Sequence, residues 1–162
     1  TRSPRAPDPR RKNRRAITTT AARVGYAAAR FVGGCVRDAL LGLPVSDVDI
    51  ATQLTPDEAA RALGDAGVAV HPTGLAHGTL TAVADGRPFE VTTLRRDVET
   101  DGRRAVVAFT LDWAADAARR DFRINALYAA SDGEVFDPTG SGLADLAARR
   151  IVFVGDAELC KM

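Results

Sequence analysis

Between Phe31 and Thr52 the chain reads FVGGCVRDALLGLPVSDVDIAT, which we interpret as a strand, a glycine turn, a helix and a second strand. Side chains on a strand alternate between the two faces of a sheet, so Asp47 and Asp49 are expected to point the same way. Two carboxylates held close together repel each other unless a cation lies between them. Because Mg²⁺ prefers oxygen ligands and often binds together with a polyphosphate, this spacing predicts a magnesium site at Asp47 and Asp49.

The glycine pair upstream of these aspartates is suited to binding phosphate. Gly33 and Gly34 allow a ligand to approach the backbone, and the helix that they open, predicted over residues 35–41, points free N–H groups at the same place. Arg37 adds a positive charge within that helix. An isolated Asp-x-Asp is more often a solvated turn or a helix cap, but the glycine pair at this distance favours a phosphate and metal site.

Turn and cap signals predict the other elements. Thr55, Pro56 and Glu58 have the spacing of a capping box with proline at the first helical position, and Asp85-Gly86 predicts a hairpin. We predict helices over residues 21–30, 56–63, 111–118 and 143–148, another helix starting at Asp121, and strands over residues 30–32, 48–51, 68–71, 79–84, 89–94, 126–130 and 134–136. Residues 95–104 are dense in charge, which is typical of a mobile loop.

Glu90 is unusual because it interrupts an apolar strand between Phe89 and Val91. It is either an edge-strand glutamate that faces water or a third carboxylate beside Asp47 and Asp49. The pattern of residues leaves both interpretations open.

Arg120 is a candidate ligand for a triphosphate, because arginine binds phosphate groups bidentately better than lysine does. Asp121 and Asn125 follow it four residues apart, so they would share one face of a helix. The alternative is a surface ion pair between Arg120 and Asp121, which would contribute little free energy.

Length and composition indicate one ordinary domain. The 162 residues are 46% hydrophobic and carry a net charge of +1, and no apolar run approaches the roughly 20 residues that span a bilayer. We therefore expect no membrane partner. The two cysteines lie far apart in sequence, which favours a reducing compartment, and we predict the cytoplasm.

Residues 1–20 are expected to form a disordered basic tail, because they hold three prolines and show no apolar periodicity. Seven of the first fifteen residues are basic. Such a tail is either solvated, or an arm that contacts RNA phosphates, or a segment for import into an organelle.

Three motifs in order resemble one family. GGCVRDALLG followed by SDVDIAT, RRDFRINALY over residues 119–128, and VFDPTGSGLADLAARRIVFVGDA over residues 135–157 are similar to the head domain of class II tRNA nucleotidyltransferases, the CCA-adding enzymes. Bacterial poly(A) polymerases share this head. The resemblance covers about residues 31–157 and implies an α+β fold of the polymerase-β type, with a mixed sheet of about five strands and helices on one face.

The resemblance also implies an activity, namely addition of CMP and AMP from CTP and ATP to the 3′ end of tRNA by catalysis with two Mg²⁺ ions. The alternatives are polyadenylation of another RNA 3′ end, or an inactive head that only binds nucleotide or RNA. It implies that Asp121 and Asn125 orient Arg120 and the sugar, and that the charged loop takes part in addition. The residues implied are Asp47, Asp49 and Glu90 for catalysis, Asp47 and Asp49 as metal ligands, and Gly33, Gly34, Arg37, Arg120, Asp121 and Asn125 for nucleotide binding.

We accordingly divide the chain into a tail over residues 1–20, a nucleotidyltransferase head over residues 21–157 and a short end over residues 158–162. In the family a helical neck that reads the base follows the head, and a body and a tail come after it. The present sequence ends a few residues after the third motif, so we expect a catalytic-head fragment.

Overall fold

A computed structural model describes residues 29–98 and 106–155 of the chain. These residues form nine strands and four α-helices, namely β1 (Ala29–Val32), α1 (Gly34–Leu40), β2 (Asp49–Thr52), α2 (Pro56–Asp65), β3 (Ala69–Gly74), β4 (Thr79–Ala84), β5 (Arg87–Thr93), β6 (Arg95–Val98), β7 (Val106–Phe109), α3 (Trp113–Ala118), β8 (Tyr128–Ala129), β9 (Val135–Phe136) and α4 (Gly142–Ala147). The predicted tail, most of the helix predicted over residues 21–30 and the chain end lie outside the described residues. No helix in the described ranges is long and apolar enough to cross a bilayer.

Seven of the strands form one mixed sheet in the order β3-β4-β5-β2-β1-β8-β9. Strands β2 and β5 pair in parallel, and the other neighbours in this sheet are antiparallel. The predicted α+β class and mixed sheet are confirmed. The sheet has more than the expected five or so strands, because the β8–β9 hairpin extends it beyond β1.

Helices α1, α2 and α4 pack on one face of this sheet. Helix α2 buries Ala59 and Leu63 against Ile50 of β2 and the neighbouring strands. Helices α1 and α4 contribute Val36 and Leu146 to a second cluster on the same face. This arrangement agrees with the prediction of helices on one face.

Helix α3 is the exception and packs on the opposite face. Its Ala117 joins a separate cluster with Val32, Ala51 and Tyr128. Since neighbouring residues of a strand point to opposite faces, Val32 and Ala51 lie on the face that also carries the side chain of Asp49. The two faces therefore have different uses, one holding most of the core and the other holding α3 beside the aspartate.

Two local predictions are confirmed at the level of single hydrogen bonds and dihedral angles. The Thr55 hydroxyl accepts the N–H of Glu58 at 3.4 Å, and the Glu58 carboxylate accepts the N–H of Thr55 at 2.8 Å, which completes the capping box. In the β4–β5 hairpin, Asp85 and Gly86 have φ angles of 52° and 72°, as a tight turn of this kind requires.

The prediction of a mobile loop over residues 95–104 is wrong for its first part. Residues 95–98 form β6, which pairs antiparallel with β7 in a separate two-stranded ribbon. The Asp97 carboxylate accepts a hydrogen bond from Arg119 at 3.1 Å, so part of the charge of this segment is paired rather than solvated. Residues 99–105 lie outside the described ranges.

The helix predicted to start at Asp121 is also wrong. The segment pairs with residues 152–154 instead, since the N–H of Arg123 donates to Val152 at 2.9 Å and the N–H of Val154 donates to Asp121 at 2.9 Å. The second bond occupies the carbonyl of Asp121, which a helix starting there would use to accept the N–H of Asn125. Only a single 3₁₀ turn, Arg123–Asn125, forms before β8 begins.

A close approach between α4 and this 3₁₀ turn gives a test of the packing. A β-carbon at Gly142 would lie 2.6 Å from the carbonyl oxygen of Arg123, so Gly142→Ala should destabilise the fold by about 2 kcal/mol. Gly64 in α2 has open space around it, and Gly64→Ala should stabilise by about 0.5–1 kcal/mol. Denaturant unfolding of both variants checks the pair, and a neutral Gly142→Ala would contradict the packing.

Candidate active site

Asp49 and Glu90 occupy directly paired positions on the parallel strands β2 and β5. Paired residues on neighbouring strands lie about 4.8 Å apart and project from the same face. Both side chains are exposed. The structure therefore places two acids side by side at the start of β2, on the face that carries α3.

The pKa of Asp49 is shifted by burial and by three neighbouring charged groups. The surrounding protein removes part of its hydration and raises the pKa of Asp49, and the negative charge of Glu90 raises it further. The positive charge of Arg120 opposes these effects, and Asp47 adds a smaller increase. These four charged groups therefore form one cluster.

Asp47 lies just before the strand, because β2 begins at Asp49. The expectation that both aspartates lie on one face of this strand is therefore wrong for Asp47. The Ser46 hydroxyl donates to the Asp47 carboxylate at 3.3 Å, and the Asp47 side chain is exposed. Asp47 therefore adjoins the cluster from the loop that precedes β2.

The carboxylates of this cluster suit a cation that takes most of its ligands from a substrate and from water. Within the described ranges, no three His, Cys, Asp or Glu side chains are gathered closely enough to form a complete metal cage. Mg²⁺ is usually held by one or two carboxylates together with substrate phosphates and water. Exposed carboxylates that repel one another fit such a site, and Asp47 and Asp49 are the residues that would hold the metal.

The glycine turn lies beside these acids. Gly33 has a φ of 79°, which favours glycine, and its carbonyl accepts the N–H groups of Val36 and Arg37 at 3.1 Å each. A β-carbon at Gly33 would lie 3.9 Å from Nη1 of Arg120. Gly33 thus keeps the space in front of this guanidinium free of a side chain.

Arg37 is held by a chain of polar contacts. Its Nε donates to Asp38 at 2.8 Å and its Nη1 donates to the side-chain oxygen of Asn125 at 2.8 Å. Asn125 in turn donates to Asp121 at 3.1 Å, and Asp121 also accepts the N–H of Phe122. Asp38 and Asn125 therefore fix the orientation of the Arg37 guanidinium.

The partners of Arg120 differ from those expected. Neither the predicted surface pair with Asp121 nor orientation of Arg120 by Asp121 and Asn125 is found, because those two residues bond to each other and Asn125 bonds to Arg37. Arg120 instead donates to Asp116 at 3.1 Å and to the Tyr128 hydroxyl at 3.3 Å. The reason is that no helix forms after Asp121, while α3 ends at Ala118 and places Asp116 beneath Arg120.

Asp116 and Tyr128 are the site residues that sequence reasoning missed. Their side chains are 3% and 0% exposed, and the Tyr128 hydroxyl donates to Asp116 at 2.7 Å. The separation of Asp116 and Arg120 by four residues was a usable signal for a helical ion pair. No comparable signal marks Tyr128. Its hydroxyl contacts Asp116 and Arg120 only because β8 pairs antiparallel with β1.

The raised pKa of Asp49 makes a prediction for the metal-free protein. Because the folded state holds this proton more tightly than the unfolded state, stability should fall as the pH rises from about 4 through the raised pKa. Asp49→Asn removes this loss and should raise the melting temperature at pH 7 by at most about 4 °C, since the group is exposed. Melting curves in a chelator at pH 4 and pH 7 test this, and a variant less stable than wild type at pH 7 would contradict the destabilisation of the Asp49 carboxylate by burial and by Glu90.

Comparison with known proteins gives consistent matches. Residues 29–152 match the family described as the poly A polymerase head domain. The chain is 48% identical over 131 residues to the mitochondrial CCA tRNA nucleotidyltransferase 1 of Danio rerio, which covers 80% of this chain and 30% of the relative. It is 46% identical over 133 residues to a CCA-adding enzyme of Leuconostoc citreum, covering 81% of this chain and 32% of that enzyme.

Solved structures give the same picture. The CCA-adding enzyme of Bacillus stearothermophilus in complex with CTP superposes with a TM-score of 0.77 and 33% identity, over 90% of this chain and 34% of the enzyme. A tRNA nucleotidyltransferase complexed with a primer tRNA and an incoming ATP analogue superposes with a TM-score of 0.66 and 30% identity, over 90% and 40%. The chain thus spans about a third of the length of these relatives.

Proposed function

This chain belongs to the family of poly A polymerase head domains, and we propose that it is a nucleotidyltransferase that adds CMP and AMP from CTP and ATP to the 3′ end of tRNA. The observation that carries the proposal is the pairing of Asp49 with Glu90 in a cluster with Asp47 and Arg120. The names of the relatives, CCA tRNA nucleotidyltransferase and CCA-adding enzyme, support the choice of substrate.

Nucleotidyltransferases of this family are generally metal-dependent, and we propose Mg²⁺ as the metal. Bound Mg²⁺ lowers the pKa of an attacking hydroxyl and neutralises charge on a leaving pyrophosphate. Asp47 and Asp49 would hold the metal with the triphosphate oxygens. Glu90, directly beside Asp49, would act as a third carboxylate next to the attacking 3′-hydroxyl.

The positive groups of the site would hold the triphosphate. Arg120 faces the glycine turn with its Nη1 edge, and arginine binds phosphate oxygens in a planar, bidentate geometry. Gly33 and Gly34 would let the phosphates approach the backbone. The Nη2 of Arg37 lies 3.4 Å from a β-carbon built at Gly34, so a triphosphate in the turn would be near both guanidinium groups.

Asn125 and Asp121 take a revised role in this proposal. Because Asn125 accepts from Arg37 and donates to Asp121, the two residues would fix Arg37 rather than Arg120. Asn125 is also placed to reach the sugar of a nucleotide held between Arg37 and Arg120, since its backbone oxygen lies 3.8 Å from a β-carbon built at Gly33.

The experiment that tests this function uses the purified chain and a tRNA transcript that lacks its terminal CCA. Each of the four NTPs and the mixture of CTP and ATP are supplied with Mg²⁺, and the products are resolved to single nucleotides. We expect Mg²⁺-dependent addition of CMP with CTP and of AMP with ATP, since in the family the neck rather than this head distinguishes the two bases. Absence of addition with every NTP would overturn the proposed activity.

Polyadenylation is the second candidate. The observation that supports it is the description of the matching family as a poly A polymerase head domain. It would appear as repeated AMP addition from ATP alone to an unstructured RNA primer. A tRNA substrate extended by three nucleotides and then left unchanged would decide for CCA addition. Repeated AMP addition would decide for the poly(A) activity.

We propose the cytoplasm as the location, with import into an organelle as the alternative. Some relatives are named as mitochondrial proteins, and the basic segment over residues 1–20 has the arginine content of an import signal. Fusion of residues 1–28 to a fluorescent protein would distinguish the two locations.

A further inference from the structure

We propose that Asp116 and Tyr128 are positioning residues that hold one edge of the Arg120 guanidinium so that its other edge meets the triphosphate. This inference rests on the proposed function, because it assigns a task to residues behind the same site. It concerns a buried pair whose side-chain hydrogen bonds join the two residues to each other, to Arg120 and to the backbone of Arg95.

The contacts divide the guanidinium into a held edge and a free edge. Nε donates to the Tyr128 hydroxyl at 3.3 Å and Nη2 donates to Asp116 Oδ2 at 3.1 Å. In the part of the chain that the structure describes, Nη1 has no hydrogen-bond partner. It faces Gly33, where a β-carbon would lie 3.9 Å from Nη1, and glycine leaves that position free of a side chain.

The holding pair is itself fixed in several directions. Asp116 Oδ2 accepts from the Tyr128 hydroxyl at 2.7 Å, and Asp116 Oδ1 accepts the N–H of Arg95 at 3.0 Å. The ring of Tyr128 meets Trp113 edge to face, with 5.3 Å between centroids. The Asp116 carboxylate and the Tyr128 phenol therefore have little freedom to rotate. Their hydrogen bonds to Arg120 fix the orientation of its guanidinium.

The protonation states suit this task. Burial raises the pKa of Tyr128, so the phenol stays neutral and can donate to Asp116 while it accepts from Arg120. Burial lowers the pKa of Arg120, but the charge of Asp116 and the hydrogen bonds to Asp116 and Tyr128 outweigh burial and raise this pKa above its ordinary value. The guanidinium therefore keeps its positive charge throughout the accessible pH range.

A preorganised guanidinium binds anions more tightly because fewer side-chain conformations are lost on binding. Tyr128→Phe removes one of the two hydrogen bonds that hold Arg120 and keeps the ring in the core. We expect the affinity for CTP with Mg²⁺ to fall about tenfold, or about 1.4 kcal/mol. The affinity for CMP, which lacks the β- and γ-phosphates, should stay within about twofold of wild type.

Thr93→Val is the matched control. Thr93 is 2% exposed and its hydroxyl donates to the carbonyl of Leu54 at 2.8 Å, so this variant also deletes a buried hydroxyl from the same sheet. A merely structural role for Tyr128 predicts equal effects of the two variants on CTP affinity. The positioning role predicts that only Tyr128→Phe lowers the affinity for CTP.

A double-mutant cycle with Arg120→Lys separates positioning from other effects of the hydroxyl. Lysine has no planar edge for Tyr128 to hold, so Tyr128→Phe should have little further effect on CTP affinity in that background. Additive losses in the double variant would overturn the proposal.

The second readout needs no nucleotide. In ¹⁵N-labelled protein, the Nε–H of Arg120 should exchange slowly with solvent in wild type and in Thr93→Val, and at least tenfold faster in Tyr128→Phe. Unchanged exchange in Tyr128→Phe would overturn the positioning role. Wild-type protein that binds CTP no more tightly than CMP would instead contradict the proposed function, while the exchange rates would still decide how Arg120 is held.

Discussion

Asp49→Asn is expected to lower the rate of nucleotide addition to tRNA by at least about 10³-fold, or about 4 kcal/mol of transition-state stabilisation. Asparagine keeps the size and one oxygen of the aspartate but loses its negative charge. Asp49 lies at the centre of the charged cluster, since Glu90, Arg120 and Asp47 all act on its pKa. The site that would hold the metal and the triphosphate therefore depends most on this residue.

Single-turnover addition measured at saturating CTP and Mg²⁺ gives the comparison. The matched control is Asp65→Asn, which makes the same chemical change at an exposed position of α2, on the opposite face of the sheet. We expect the control to retain the wild-type rate. An Asp49→Asn protein within about tenfold of wild type would remove Asp49 from the proposed chemistry.

Asp116→Ala should cause the largest loss of stability, about 3 kcal/mol, because it leaves several polar groups without a partner. The carboxylate accepts from the N–H of Arg95, the Tyr128 hydroxyl and Arg120. Tyr128 is 0% exposed, so its hydroxyl has no access to bulk water in the wild-type structure. A loss of this size corresponds to about 6–12 °C in melting temperature.

The control for this prediction is Asp112→Ala in the same helix. Asp112 caps the start of α3 by accepting the N–H of Ala114 at 2.8 Å, and losing an exposed cap costs about 1 kcal/mol. Chemical denaturation of the two variants gives the comparison. Equal losses would show that the buried contacts of Asp116 contribute little beyond helix capping.

The parts of the fold that local chemistry decides were predictable from the sequence. The capping box at Thr55 and the Asp85-Gly86 turn depend on residues within a few positions, and both form as expected. Glu90 was harder, because an acid in an apolar strand has two explanations. The parallel register of β2 with β5 places it beside Asp49, which favours the third-carboxylate interpretation.

The errors arose where long-range pairing overrides local pattern. Phe122, Ile124 and Leu127 have a helix-like spacing, but the segment after Asp121 bonds to residues 152–154 and forms only a 3₁₀ turn. Segment 95–98 reads as a charged loop, but antiparallel pairing with β7 makes it a strand. The periodicity of a short window of sequence carries no information about these partners, because residues 152–154 and β7 lie outside the windows concerned.

The partners of Arg120 show the same limit within the site. Its neighbour in sequence is Asp121, yet its ion pair is with Asp116, one turn earlier, and its second contact comes from Tyr128 on another element. The position of Tyr128 depends on β8 pairing with β1. The spacing of Asp116 and Arg120 was a signal in the sequence, whereas the contact of Arg120 with Tyr128 depends on the three-dimensional structure.

The central claim is that Asp47 and Asp49 form a metal site that is completed by a triphosphate. Binding of Mn²⁺, followed by electron paramagnetic resonance in the presence and absence of a non-hydrolysable CTP analogue, tests it most directly. We expect tight Mn²⁺ binding that requires the analogue and is lost in the Asp47→Asn/Asp49→Asn double variant. Equal Mn²⁺ binding by wild type and double variant would contradict the claim.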